Sequence, residues 1–208
     1  MAAAAPTRPT RLDDVQAIRY GDVLVEGERW PGFLHVVEHP RGRVLVDTGL
    51  IDSTPELDEQ WSPRFDPELI PRDVVFVINT HLHFDHRGGN RLFAGVPIYV
   101  QRLEREAARA EDYTIPEWVD FDGARYVEVE GEEELLPGVR VVPTPGHTPG
   151  HQSVLVETDA GLIVVGGDVA YSWSEFDDPA NAAARMLDRL APRRIWLAHD
   201  PAPRDAAR

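Results

Sequence analysis

The sequence predicts a single α/β domain (α+β in some schemes) made of two similar halves, each a series of strands followed by a helix. Three observations carry this. Short β-branched apolar runs recur along the chain, bounded by glycine and proline turn signals. Two segments of strong helix propensity, LEREAARAEDY (103–113) and ANAAARMLDRLA (180–191), each close such a series. No stretch of disordered composition separates the halves, and no short-period repeat is visible.

In chain order, residues 1–11 (MAAAAPTRPTR) read as a flexible tail, without the apolar core of a signal peptide. The domain is expected to span 12–208. VQAIRYGDVLVEG, FLHVVEH and RGRVLVDTG form a β-meander. Residues 52–72 are polar and punctuated by proline, which predicts a loop with one short helix and with Trp61 and Phe65 as its main apolar content. VVFVINT (74–80) is apolar on both faces, as a buried central strand must be. PIYVQ precedes the first helix. ARYVEVEG, VRVVPTPG, SVLVETDAG and LIVVGGD are four further short strands, and RIWLAH is the last strand after the second helix.

Composition removes several functions. The 208-residue chain carries a formal net charge of −15, a poor match for a phosphate backbone, so nucleic acid is not an expected partner. It has no cysteine, which excludes disulfides, thiolate metal ligands and thiol nucleophiles. All 21 of its basic residues are arginine, which excludes a Schiff-base lysine and a P-loop lysine. No run approaches membrane-spanning length. The expected location is the cytoplasm.

Thr80–Asn90 reads THLHFDHRGGN, placing His81, His83, Asp85 and His86 within six positions directly after a buried strand. Alternate side chains of an extended segment share a face, so His81 and His83 can point together while a turn presents Asp85 and His86 beside them. The glycines of RGGN would then turn the chain into a helix. Imidazole and carboxylate suit Zn, Fe, Mn or Co. A lone histidine at such a place is ordinarily a hydrogen-bonded structural residue; four ligand types at one strand end are a candidate site. His147, Asp168 and His199 each follow another apolar run. Five histidines and two aspartates suffice for two metals about 3.5–4 Å apart. His35, His39 and His151 lack this placement and read as structural.

HLHFDH, PTPGHTPGH, GGD and LAHD, in that order and preceded by VDTG, resemble the metallo-β-lactamase superfamily from about Arg19 to Asp200. The resemblance implies a four-layer αββα sandwich with two divalent ions, zinc first among them, at the sheet edges. It implies one metal site of His81, His83 and His147, a second of Asp85, His86 and His199, and Asp168 as the bridge. Asp47 would orient a ligating histidine rather than ligate.

Within the superfamily, HLHFDHRGGN, PIYVQRLE, TPGHTPGHQSVLVET and the tyrosine three residues after Asp168 resemble the quorum-quenching N-acyl-homoserine lactone lactonases of bacteria. The activity implied is ring opening of a lactone by a metal-bridging hydroxide. Asp85 and Tyr171 would be the catalytic residues: Tyr171 as hydrogen-bond donor to the substrate, Asp85 as a transient base. Phe84, Trp30, Trp61 and Phe65 are candidates for an acyl-chain pocket, with core packing or loop anchoring the alternative for any one of them, and Trp30, Phe84 and Tyr171 are the substrate-contacting set. The expected partners are a small lactone or ester and, at most, a second copy in a homodimer. The segment from Asp47 to His81 is short for such a lactonase. The alternatives are a glyoxalase-II-like thioesterase or other small-ester hydrolase, a mononuclear iron sulfur-dioxygenase, and a non-catalytic metal-binding sensor.

Overall fold

The computed structural model describes residues 9–110 and 113–206. The N-terminal half holds strands β1 (Val15–Val25), β2 (Glu28–His39) and β3 (Gly42–Val46), helix α1 (Pro55–Gln60), β4 (Arg64–Phe65) and β5 (Phe76–Ile78). Helix α2 (Phe84–Arg87), β6 (Pro97–Gln101), α3 (Arg102–Ala107), α4 (Pro116–Val119) and β7 (Arg125–Val129) complete it. The C-terminal half holds β8 (Glu133–Leu136), β9 (Val139–Pro143), β10 (Gln152–Thr158) and β11 (Gly161–Val165). It ends with α5 (Trp173–Phe176), α6 (Ala182–Asp188), β12 (Arg194–Trp196) and β13 (Arg204–Asp205).

Each half contributes one sheet, seven-stranded in the order β4-β1-β2-β3-β5-β6-β7 and six-stranded in the order β13-β12-β11-β10-β9-β8. Period-two alternation sorts their side chains. In GRVLV, Val44 and Val46 face the second sheet, in a core with Phe76, Ile78, Val141, Val154, Val156 and Ile163. Leu45 points the other way and packs with Val77, Ile98, Leu57 and Trp118, so α1 and α4 cover that outer face. On the far side Leu155, Val164 and Ile195 pack against Phe176, Ala184 and Leu187 of α5 and α6. The result is the four-layer αββα arrangement.

Parallel pairs set the position of the site. β3 runs parallel to β5, and β11 parallel to β12. Strand C-termini of a parallel pair lie at one edge, so the segments that follow all four emerge together. The two sheets are tied there by Gln152 N–H to the Thr80 carbonyl (2.8 Å) and Phe33 N–H to the Ala198 carbonyl (3.0 Å).

The elements depart from expectation in several places. The helix expected over 103–113 ends at Ala107, with Glu111 and Asp112 outside the described residues. Its early end follows from a buried contact. Tyr113 donates its phenol proton to the Glu104 carboxylate, whereas nine residues along a continuous helix would set the two on opposite sides. The second helix shrinks to Ala182–Asp188, capped by the Asn181 side chain on Ala184 N–H (2.9 Å). RIWLAH is not the last strand, since β13 pairs antiparallel with it. The polar strand β8 and short helices α2, α4 and α5 carry too few residues for periodicity to reveal. Of the expected tail, residues 1–8 lie outside the described residues; Thr10 is buried and its carbonyl accepts from Asp159 N–H (3.0 Å).

Candidate metal centre

After β5 the chain passes through Asn79–His83 with a bend at Thr80, and His83 is the N-cap of α2. Asp85 and His86 therefore lie on a helical turn rather than on a turn that precedes a helix. The expected role of RGGN changes with this. A Cβ at Gly89 would stand 2.4 Å from the Thr48 carbonyl, so the glycine permits close approach of two backbones beyond α2. A 3₁₀ turn, Asn90–Phe93, follows.

Seven side chains converge in two sets of donor atoms. In the first, His81 Nε2 lies 3.1 Å from His83 Nδ1 and 3.2 Å from His147 Nε2, and the last two are 2.9 Å apart. Asp168 Oδ2 is 3.8 Å from His81 Nε2 and 3.5 Å from His147 Nε2. In the second, His86 Nε2 is 3.7 Å from Asp85 Oδ2 and 3.2 Å from Asp168 Oδ1. His199 Nε2 is 3.6 Å from Asp85 Oδ2 and 3.4 Å from Asp168 Oδ1. Tetrahedral ligands about 2.0–2.1 Å from a zinc ion stand roughly 3.3–3.4 Å apart, close to these separations. Asp168 gives one oxygen to each set. His86 Nε2 and Asp168 Oδ1 are buried and make no hydrogen bond although they are 3.2 Å apart. Two orphaned polar atoms aimed into one space fit a cation.

For four of the five histidines the opposite ring nitrogen is held by another group, which fixes those imidazoles. His81 Nδ1 meets Thr80 Oγ1 (3.1 Å), His86 Nδ1 meets Asp47 Oδ2 (2.9 Å), and His199 Nδ1 meets the Pro31 carbonyl (2.9 Å). His147 Nδ1 meets the Tyr171 phenol (2.9 Å). Asp47 is in neither donor set. Its left-handed backbone (φ 60°) turns the carboxylate inward, where it also accepts from Thr80 N–H and Thr80 Oγ1, both at 2.8 Å. Thr144 hydrogen-bonds His151 Nδ1 (2.8 Å), and His151 Nε2 accepts from Asp168 N–H (3.1 Å), so this histidine holds the loop behind Asp168 and joins no set. His35 and His39 also stay outside both sets.

Electrostatics differ between the sets. Burial lowers the pKa of His81, His83 and His147, which keeps those imidazoles neutral. At His86 and His199 burial is outweighed by Asp168 and Asp85, and for His86 also Asp47, so both are raised. Burial pushes the Asp168 carboxyl up, but His86 and His199 overcome it and hold it well below the usual carboxylate range. The second set is the more negative.

A cavity of about 490 Å³ opens on the donor atoms. Trp30, Trp61, Phe84 and Tyr171 line it, as expected from sequence, together with Val23, Val25, Leu57, Tyr113, Thr114 and Ile115. Trp30 leans on Tyr171 at 5.3 Å between ring centroids, and Trp61 on Phe84 at 5.8 Å. Phe65 takes the packing role: it lies against the outer-face cluster around Tyr20 and Leu57 and does not line the cavity. Sequence reasoning missed Tyr20, whose buried phenol donates to the Asp85 carbonyl (2.7 Å), and Thr80, although its place beside His81 was a signal. It also missed Arg87 and Glu104, two charged side chains with no exposed surface. The Pro31 carbonyl left no signal at all.

Two facing sheets with helices outside, and a shared-carboxylate histidine cluster at their edge, define an αββα metallohydrolase scaffold. The chain belongs to the metallo-beta-lactamase superfamily, whose family model matches residues 27–208. It is similar to an N-acyl homoserine lactonase of Bacillus cereus, 34% identical over an alignment of 169 positions that covers 71% of this chain and 67% of that one. The AttM N-acyl homoserine lactonase of Azorhizobium caulinodans is 29% identical over 225 residues, covering 82% and 81%. Among solved structures, an N-acyl homoserine lactone hydrolase with N-hexanoyl-L-homoserine bound at its catalytic metal centre superposes with a TM-score of 0.80 at 27% identity, covering 93% of this chain and 94% of the other. A variant of Bacillus thuringiensis AiiA with N-decanoyl-L-homoserine bound gives 0.79 at 26% identity with the same coverage. Membership of the superfamily and the His/Asp clusters make this a divalent-metal protein. Among the described residues no helix is long and apolar enough to cross a membrane.

Proposed function

We propose that the protein is a dinuclear metal-dependent hydrolase that opens the ring of N-acyl-homoserine lactones. The observation that carries this is the pair of donor sets sharing Asp168 beside a cavity with an apolar wall. His81, His83 and His147 would hold one ion, Asp85, His86 and His199 the other, and Asp168 both; zinc suits the near-tetrahedral spacing. Bound there, the ions supply Lewis acidity at the carbonyl and a water acidified toward neutral pH.

The chain's own groups orient and move protons. With Nε2 of His147 turned to the donor set, its proton sits on Nδ1 and is donated to the Tyr171 phenol oxygen. That frees the Tyr171 O–H to donate to a substrate oxygen as negative charge develops there. Burial, then Asp168 and Asp85, raise the Tyr171 pKa, so the phenol stays a donor at neutral pH. Asp85 lines the cavity and can receive the proton of the attacking water and pass it to the departing ring oxygen. Val23, Val25, Leu57, Trp61, Phe84 and Ile115 offer an apolar bed for the acyl chain.

The reading further places the protein in the cytoplasm, with a small-molecule lactone as partner. A net charge of −15 argues against nucleic acid. The test is hydrolysis by one metal-defined preparation of a panel comprising acyl-homoserine lactones, a simple γ-lactone, a thioester and an aryl ester. Acyl-homoserine lactones should lead in kcat/KM. Faster turnover of the thioester would replace this reading with a thioesterase.

A further inference from the structure

Arg87 follows the HLHFDH motif, has no exposed surface and has no carboxylate within ion-pair distance among the described residues. A guanidinium held out of water needs hydrogen-bond acceptors in exchange. What it reaches is specific. Its Nε donates to the Leu82 carbonyl (3.2 Å) and to Thr114 Oγ1 (3.1 Å), and its Nη2 to Thr114 Oγ1 and to the Ile115 carbonyl (2.6 Å). The guanidinium carbon lies 5.8 Å from the centre of the Trp118 ring.

Glu104, also without exposed surface, grips the same two places from another side. It accepts from Leu82 N–H (2.7 Å), from Thr148 Oγ1 (2.6 Å) and from the Tyr113 phenol. Leu82 separates His81 from His83, and both polar groups of its backbone are thus held by buried charges. Tyr113, Thr114 and Ile115 form part of the cavity wall, and the Tyr113 ring lies 4.8 Å from that of His83. Among the described residues no other side chain hydrogen-bonds Thr114 or Ile115. The wall lies just before α4, whose N-cap is Ile115, and its side-chain ties run to the segment that carries the histidines.

Resting on the lactonase reading, we propose that Arg87 is a positioning residue that sets acyl-chain selectivity, by fixing the 113–115 wall to the His81–His83 segment, with Glu104 as the second anchor. A methylene buried against a fixed apolar wall gains about fourfold in affinity, and a wall free to move away forfeits that gain. Long acyl chains, which reach the wall, depend on the tie; short ones depend on the centre.

The test compares Arg87→Met, Arg87→Lys and Thr114→Val with the wild type. All are metal-loaded and assayed on N-butanoyl- and N-decanoyl-homoserine lactone. Calorimetry of the ring-opened N-decanoyl-homoserine supplies a readout independent of turnover. Arg87→Met should lower the decanoyl-to-butanoyl ratio of kcat/KM about tenfold, equivalent to about 1.4 kcal/mol. The change should lie in KM for the decanoyl substrate, with a matching loss in product affinity. Arg87→Lys should fall between, because an ammonium cannot serve all three acceptors in one plane. Thr114→Val keeps shape and removes one acceptor, and should shift the ratio the same way by about threefold; it decides the matter if Arg87→Met fails to fold. An unchanged ratio in Thr114→Val and in either folded Arg87 variant overturns the proposal. So does an equal loss on both substrates, the signature of a merely structural residue. A wild type inactive on both lactones overturns the lactonase reading instead, and the calorimetric comparison still reads the wall.

Discussion

The phenol oxygen of Tyr171 lies 2.9 Å from Nδ1 of His147, the nitrogen opposite the one that faces His81 and His83. One hydrogen bond thus couples the candidate oxyanion donor to a candidate metal ligand. Tyr171→Phe removes it with almost no change of volume. Lost donors in preorganised sites cost about 2.7–4 kcal/mol at the strong end. With bound cations sharing the developing charge, a fall of roughly 10–100-fold in kcat/KM on lactones is expected, smaller on activated aryl esters with good leaving groups. Metal content should stay near that of the wild type, since His147 keeps Nε2 for the ion. Steady-state kinetics on both substrate classes check this, and a silent variant removes Tyr171 from the mechanism.

The two donor sets should bind ions with unequal affinity. Three neutral imidazoles form one; the other has two imidazoles and the Asp85 carboxylate and lies in the more negative surroundings that raise His86 and His199. Stepwise chelation followed by elemental analysis should pass through a one-metal species, with the three-histidine set emptied first. A stoichiometry fixed at one ion despite excess Zn, Mn or Co contradicts a dinuclear centre and favours mononuclear chemistry.

Much of this was legible in the sequence because it is local. HLHFDH packs four donors into six residues, and apolar runs fixed which strands were buried. His147, Asp168 and His199 were readable as ends of runs; the parallel pairing of β11 with β12 puts Asp168 and His199 at one edge, and β9, antiparallel to β10 as β11 is, brings His147 to the same edge. Long-range supports were illegible. The Pro31 carbonyl that fixes His199 is 168 residues away and has no side-chain signature. Nothing in LEREAARAEDY marks Glu104 as buried; its burial goes with Leu82, Tyr113 and Thr148, which sequence spacing does not connect to it. The side taken by Phe65 was equally hidden: it belongs to β4, whose pairing with β1 sets it against the outer cluster.

Removing ligands should cost more than removing their supports. His86→Ala or His199→Ala each deletes a donor of the second set while leaving the sheet cores of valine and isoleucine untouched. Activity should fall by more than the roughly 10–100-fold that losing a ligand's partner costs. Asp168→Ala should be worse, because both sets lose an oxygen. Metal analysis and circular dichroism on the same preparations separate a lost site from a lost fold.

Asp47→Asn tests a support directly. The amide can still accept from Thr80 N–H, but the charged partner of His86 Nδ1 is gone. Metal affinity should drop about 10–100-fold, with the fold retained. Competition with a calibrated chelator measures it, and an unchanged affinity assigns Asp47 to holding the Thr80 turn alone.

His35 makes the protein sensitive to acid away from the centre. It is buried against Trp196, 5.6 Å between rings, and its Nε2 has no hydrogen-bond partner. Burial, and after it the charge on His86, lower its pKa from 6.5 to about 3. The unfolded chain therefore takes up a proton at His35 below about pH 6.5 that the folded chain refuses until about pH 3. Stability is complete above that window and falls through it as the pH drops. At pH 5 the loss from this one group is about 2 kcal/mol, on about 1.4 kcal/mol per pH unit. His35→Phe keeps a flat ring beside Trp196 and removes the proton site. Whatever the variant's stability at pH 7.5, the difference between variant and wild type should move by about 2 kcal/mol in the variant's favour at pH 5. Urea unfolding of both metal-loaded proteins at the two pH values measures that difference. A difference that does not change with pH means that His35 already titrates in the folded state and that burial does not suppress its charge.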